Sequence, residues 1–217
     1  MANKTIDFLN TKDSKIRVSC LDDFDRYLTT LYDQVNYACN CYYISDRLYV
    51  NLTNKYSHLE NKWYLYALNS LEDNVILLLI KLYNDQGKEV SLYNILNYFS
   101  IDNNFNKFIN TPDKKSEFEE IVNNYNKNYA DSREKLIIRR NNWHVHISTS
   151  FFEHDASKSN TLLTLKECFD LLYYALHTLR KLYRILFNKN LPLTNHSSTF
   201  KEIDRFILQL NENGDLK

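Results

Sequence analysis

The chain has 217 residues, of which 44% are hydrophobic, and its 27 basic and 27 acidic side chains balance to a formal net charge of zero. This length buries one core comfortably, while charge neutrality argues against a protein that coats nucleic acid through bulk charge and leaves room only for a local contact. Two glycines and two prolines are too few for the turns of a sandwich or barrel, or for the glycine loops of a doubly wound fold. An all-α bundle of five to seven helices is expected.

Residues 1–18 are polar and expected to form a flexible N-terminal segment, with 19–217 as a single helical domain. Ser19-Cys-Leu-Asp22 has the pattern of a helix start, a hydroxyl with a carboxylate three residues on. The first helix carries Phe24, Leu28, Leu31 and Val35 toward Tyr49, with a break expected near Asn40, where Cys41-Tyr-Tyr-Ile44 suits helix or strand. A second helix is expected from about His58 to Tyr83. Leu71, Val75, Leu78, Leu79 and Leu82 form its apolar stripe, and Asn84-Asp-Gln-Gly87 its stop.

Ser91 to Phe99 reads as a short helix and Ile101 to Asn110 as a polar connection. Thr111-Pro112 and Ser116-Glu-Phe-Glu119 are overlapping start signals for a helix, or a broken pair of helices, that continues into a basic stretch ending at Ile147-Ser-Thr-Ser150. Glu153 to Asn160 is expected to be a loop. Thr164-Leu-Lys-Glu167 is a further capping box, opening a helix with Leu165, Cys168, Phe169, Leu172, Leu176, Leu179, Tyr183 and Leu186 on its apolar side. Pro192 lies in a linker, and Thr199-Phe-Lys-Glu202 caps a last helix to about Leu210.

The four cysteines (Cys20, Cys39, Cys41, Cys168) have neither metal-ligand spacing nor a disulfide framework, and are read as small apolar residues in a reducing compartment. The N-terminus has no apolar signal core, and the longest apolar run, Val75 to Ile80, is too short to span a bilayer. A cytoplasmic protein without a membrane partner is expected.

Chemistry concentrates in Leu136-Ile-Ile-Arg-Arg-Asn-Asn-Trp-His-Val-His-Ile147. Residues 133–146 carry Arg133, Lys135, Arg139 and Arg140 against Glu134 alone, a local positive patch in a neutral chain. Arg140, Asn141 and His146 form an Arg-Asn-(four residues)-His spacing. A guanidinium clamps phosphate oxygens in a fork and holds charge developing on phosphorus. An imidazole titrating near neutrality takes a proton from a ribose hydroxyl or gives one to a leaving oxygen. Such groups suffice for RNA cleavage by 2′-hydroxyl attack on the adjacent phosphate, with no metal or cofactor. Arg133 and Lys135 are candidate RNA contacts.

The alternatives are a solvated basic helix face, or metal ligation by His144 and His146 with His154 or Asp155. His177 is read as a packed or boundary histidine. Arg180, Lys181, Arg184 and Lys189 form either a solvated face or a second RNA-contacting strip. The tyrosines are read chiefly as packing residues.

The basic stretch resembles the Arg-polar-(several residues)-His motif of the HEPN superfamily, helical proteins that include metal-independent RNases of bacterial defence. The chain is most similar to its abortive-infection U-type branch. The likeness runs through Trp63-Tyr-Leu-Tyr-Ala-Leu-Asn-Ser-Leu71, Ile80-Lys-Leu-Tyr-Asn-Asp85 and Val90-Ser-Leu-Tyr-Asn-Ile-Leu96 to Arg140 and Val145-His146, with the capped helix from Thr164 following. It covers most of residues 20–190.

The resemblance implies a homodimer whose motif helices meet at one cleft for RNA, with Arg140 as phosphate clamp, Asn141 as polar orienter and His146 as acid/base. It also implies a toxin-like role with a possible antitoxin or regulatory protein as partner. The chain departs from the family pattern where Val145 replaces a frequent alanine and Ile147-Ser148 follows the histidine. Ser148 stands where toxins silenced by a partner nucleotidyltransferase carry tyrosine. On a straight helix, residues six apart lie about 240° around the axis and residues seven apart nearly eclipse. Arg139 then sits over His146 and Arg140 over His144, so which arginine partners His146 stays open.

Overall fold

In the computed structural model the described residues are 20–55, 62–84, 90–109, 111–140, 163–192, 201–202 and 204–205, with backbone alone at 51–55 and 62–65. They contain seven named helices and no strand: α1 Leu21–Lys55, α2 Lys62–Leu82, α3 Leu92–Phe99, α4 Asp102–Phe108, α5 Pro112–Asn128, α6 Ala130–Arg139 and α7 Leu165–Phe187. The all-α bundle expected from composition is what forms. Residues 1–19, the Gly87 turn, Asn141 to Leu162 and most of the segment after Pro192 lie outside the described residues. So do the expected helix end at Ile147, the loop at Glu153 and the cap at Thr199.

α1 starts one residue later than the hydroxyl-and-carboxylate pattern indicates. The backbone N–H of Cys20 donates to the Asp23 carboxylate at 3.4 Å, so the carboxylate three residues beyond the cap is Asp23 rather than Asp22. The break expected near Asn40 is absent. Phe24, Leu28, Leu31, Val35, Ala38, Cys41, Ser45 and Leu48 are all buried, a three-four spacing that runs unbroken through the ambiguous tyrosines. α1 packs along α2 and α7, with Tyr42 and Tyr43 against Phe169 of α7 at 5.4 and 6.4 Å. Burial from Phe24 to Leu48 outweighs the weak helix preference of that run.

The connection expected at Ile101–Asn110 instead contains α4. Phe105, Phe108 and Ile109 fall three and one residues apart on its inner side, and Phe105 packs on Phe99 and Phe118 at 6.3 and 5.4 Å. Asp102 in its first turn accepts from Lys115 of α5 at 2.8 Å. Of the two start signals for α5, Pro112 operates: Thr111 is the extended cap residue, and Ser116 lies inside the helix.

The helical pair breaks at Tyr129 (φ −127°, ψ −9°), whose ring meets Tyr174 of α7 at a tilt of 31° with centroids 4.4 Å apart. α7 opens on the complete Thr164–Glu167 capping box and closes at Asn188 in the left-handed region (φ 55°, ψ 30°), where asparagine is tolerated because its short polar side chain bonds locally.

One apolar core joins these helices, and α6 reaches it through Leu136 alone among its hydrophobic residues. The other two buried side chains of that segment are arginines, Arg133 and Arg140, 4% and 8% exposed. Among the described residues no helix is long and apolar enough to cross a membrane.

Candidate functional site at the end of α6

Arg133, Leu136 and Arg140 are three and four residues apart, so they share the inner face of α6. Arg133 lies in a slot between α2 and α3. Its Nε donates to the Tyr83 backbone carbonyl at 3.0 Å, and its guanidinium covers the Tyr93 ring 3.9 Å from the centroid. The Tyr83 hydroxyl donates to the Leu171 carbonyl at 2.7 Å, and burial, then the neighbouring Tyr174, Tyr125 and Tyr129, hold it neutral far above the usual phenol range. Arg133 was expected to touch RNA. At 4% exposure it is a core cation joining α6 to α2 and α3, with no surface to offer a polynucleotide.

About two helical turns on from Arg133, α6 ends. The Arg140 N–H is shared between the Ile137 and Leu136 carbonyls, with its backbone still in the right-handed helical region (φ −53°, ψ −52°). Its Nη1 donates to the Asn84 side-chain carbonyl at 2.7 Å. Asn84 follows directly on α2, and its backbone carbonyl accepts from the Ser91 hydroxyl at 2.6 Å. The same hydroxyl accepts from the Asn94 N–H at 3.1 Å, which caps α3. Ser91 and Asn94 are 0% and 6% exposed.

Arg139 points another way. It lines a cleft of about 90 Å³ with Tyr42, Ser45, Glu72, Leu163 and Cys168, toward α1, α2 and α7. Burial raises the Cys168 thiol to about 12, with Arg139 pulling down against Glu167 and Glu72. Such a thiol stays protonated and unreactive at neutral pH. Lys135 is paired with Glu167 of α7 at 2.5 Å. Burial pushes the Glu167 carboxyl up, but bonds from Lys135 and Thr164 outweigh it and leave the group below its ordinary value.

The cations of α6 are therefore not a solvated face. Two are buried, and the other two are half-buried at the contact with α7. Asn141, His144 and His146, together with His154 and Asp155, lie outside the described residues. Among the described residues no group of three His, Cys, Asp or Glu is placed to hold a metal ion.

The site residues that sequence reasoning missed are Tyr83, Asn84, Ser91 and Tyr93. All four fall inside Ile80–Asp85 and Val90–Leu96, yet none has chemistry that singles it out in a chain rich in Asn and Tyr. Elsewhere, His177 is exposed, its ring 4.4 Å from Tyr173, which fits a boundary position. In the α7 basic strip, Lys181 and Arg184 pair with Glu120 and Glu117 of α5 at 3.6 and 3.0 Å. A cleft of about 260 Å³ lined by Phe99, Phe105, Phe118 and Asn126 is larger than the cleft beside Arg139, but it is walled by core phenylalanines and includes none of the candidate residues. No protein-family model, no curated protein and no solved structure matches the chain.

Proposed function

We propose that the chain is a HEPN-type, metal-independent endoribonuclease, acting as a homodimer in toxin-like defence against phage. The observation that carries this reading is the placement of Arg140: a cation 8% exposed, at the C-terminal end of α6, held by the hydrogen bond it donates to the Asn84 side chain just beyond α2. Burying a guanidinium is costly unless it is hydrogen-bonded, and a surface charge needs no such arrangement. Three of the stretches that carry the family resemblance, around Asn84, Ser91 and Arg140, meet at this point, which supports the likeness beyond their order in sequence.

In the reaction the ribose 2′-oxygen bonds to phosphorus as the P–O5′ bond breaks, leaving a 2′,3′-cyclic phosphate and a 5′-hydroxyl. Arg140 holds the charge on the non-bridging oxygens, and Asn141 orients the phosphate. His146 takes the 2′ proton or supplies one to O5′, with its dimer mate in the complementary role. A catalytically silent HEPN module that binds RNA, nucleotide or a protein partner is the second reading. The same burial favours its protein-binding form, because a guanidinium 8% exposed presents little surface to a phosphate.

Induced expression in bacteria of the wild type beside His146→Ala and Arg140→Ala, scored for growth arrest and RNA integrity, separates the two. RNA cleavage that persists in EDTA and disappears in both folded variants is the expected result. Equal behaviour of all three proteins selects the silent module, and activity lost on chelation restores metal ligation by His144 and His146.

A further inference from the structure

We infer that the cleft between α5 and α7 holds an unpaired base of the RNA, stacked on the Tyr173 ring with its edge toward His177. The inference rests on the reading of the chain as one that binds RNA. The cleft has a volume of about 190 Å³ and includes Tyr129, where α5 gives way to α6. Tyr174 also lines it, but that ring is buried and its hydroxyl donates to the Ile121 carbonyl at 3.1 Å. Tyr173 and His177, one helical turn apart on α7, are the exposed rings of the cleft. Tyr173 is 52% exposed, and the two rings lie 4.4 Å apart with their planes at 60°. Rings at that angle make a corner, so a flat ligand lying on one presents its edge to the other.

A single exposed ring is ordinary; this one lines a cleft, beside a second ring whose polar edge is free. Neither the Tyr173 hydroxyl nor the His177 nitrogens form a hydrogen bond among the described residues. Burial, then Arg180 and Lys181, hold the imidazole below its ordinary value. At neutral pH it is an uncharged ring with one N–H donor and one acceptor nitrogen, and the edge of a base carries groups of both kinds. Charges around the cleft nearly balance. Lys181 pairs with Glu120 of α5 at 3.6 Å, Asp170 acts on Tyr129, and Arg180 forms no hydrogen bond or ion pair among the described residues. Bulk charge therefore cannot hold a strand here, and affinity must come from ring faces, which every base can use. Arg180 supplies one phosphate contact beside them. Glu167, where Lys135 of α6 meets α7, is about 15 Å along the helix from His177, so a strand bound near α6 reaches the cleft.

The test uses the full chain with Tyr173→Phe, Tyr173→Ala, His177→Phe and Arg180→Met, each checked for an unchanged melting temperature. Binding is measured with a short mixed-sequence 2′-O-methyl oligonucleotide, which cannot be cleaved, and with copies of it abasic at one position in turn. Tyr173→Ala is expected to weaken binding by about 5- to 150-fold, and Tyr173→Phe, which keeps the ring, to match the wild type. His177→Phe, which keeps a ring without its nitrogens, is expected to lose about 2- to 10-fold. Arg180→Met is expected to reduce the slope of log affinity against log salt by about 0.7. At one position the abasic copy should bind the wild type as weakly as the intact oligonucleotide binds Tyr173→Ala, with no further loss when both changes are combined.

Tyr173→Ala at wild-type affinity overturns the inference, and so does a loss that is the same for intact and every abasic oligonucleotide. Wild-type affinity in His177→Phe, or an unchanged salt slope in Arg180→Met, overturns that residue's contact. A wild type that cleaves RNA while Tyr173→Ala binds and cleaves equally well leaves the RNase reading standing and removes the base site alone. A wild type that neither binds the oligonucleotide nor cleaves RNA overturns both.

Discussion

Two buried regions of this molecule are built on different physics. At one end, Phe24, Phe99, Phe105, Phe108 and Phe118 pack ring against ring at centroid distances of 4.7 to 6.4 Å. At the other, Arg133 and Arg140 are buried against Tyr83, Asn84 and Tyr93. The first region gains stability from area removed from water and from dispersion, which have little direction. The second depends on donors meeting particular acceptors, where a missing partner costs more than a present one gains. Phenylalanine packing accepts a similar shape, whereas the arginine slot requires a fork of donors and a flat cation. A chain that needed only a core had no reason to place guanidinium groups there, so the second region is where function is to be sought.

The comparison is tested most severely by Phe99→Ala. The ring is 2% exposed and touches five other aromatic rings, so its loss is expected to cost about 3–5 kcal/mol in urea unfolding. Phe99→Leu should recover most of that, and an equal loss for both would mean the aromatic region is as geometrically demanding as the arginine slot. Arg133→Met keeps the length and apolar stem but leaves the Tyr83 carbonyl without its donor. A loss of about 1–3 kcal/mol is expected. Unchanged or increased stability would show that hydrophobic filling serves equally well at this position, and the contrast between the regions would collapse.

A smaller effect is expected where α6 meets the start of α7. Thr164→Ala removes the hydroxyl of the capping box and should cost about 1 kcal/mol, read as a lowered melting temperature with cleavage per folded molecule unchanged. The smallest concerns His177. Burial, then Arg180 and Lys181, hold its imidazole below the ordinary value. On acidification through about pH 6.5 the unfolded chain takes up this proton before the folded one does. The stability present above that pH then declines, and levels off once pH is below the folded value. The group is exposed, so the slope is shallow. His177→Gln should flatten it, and an identical pH profile would mean that the ring does not feel its cationic neighbours.

Local chemistry was the legible part of the fold. Thr164 and Glu167, Ser91 at the head of α3 and Pro112 at the first turn of α5 act within three residues of themselves, and each stands where its residue type indicates. The ambiguous run Cys41-Tyr-Tyr-Ile44 and the polar-looking Asp102-Asn-Asn104 were misjudged for one reason. Their helicity is decided by what packs on them: α7 on the first, Phe99 and Phe118 on the second.

The candidate site divides along the same line. Spacing alone marked Arg139 and Arg140 as chemically interesting, because adjacent arginines before asparagine and histidine bring a fork of donors near groups that titrate close to neutrality. Spacing did not reveal that the two diverge, Arg140 toward Asn84 and Arg139 toward the cleft beside Cys168. Nor did it show that Arg133 is a core residue. The sequence by itself determined the helical class and the starts of α3, α5 and α7, since these follow from composition and from neighbours a few residues apart. Tertiary structure alone decided which cations are buried, which helix each one meets and which asparagine holds Arg140. Those contacts join residues about 50 or more positions apart, and no local preference encodes a partner at that distance.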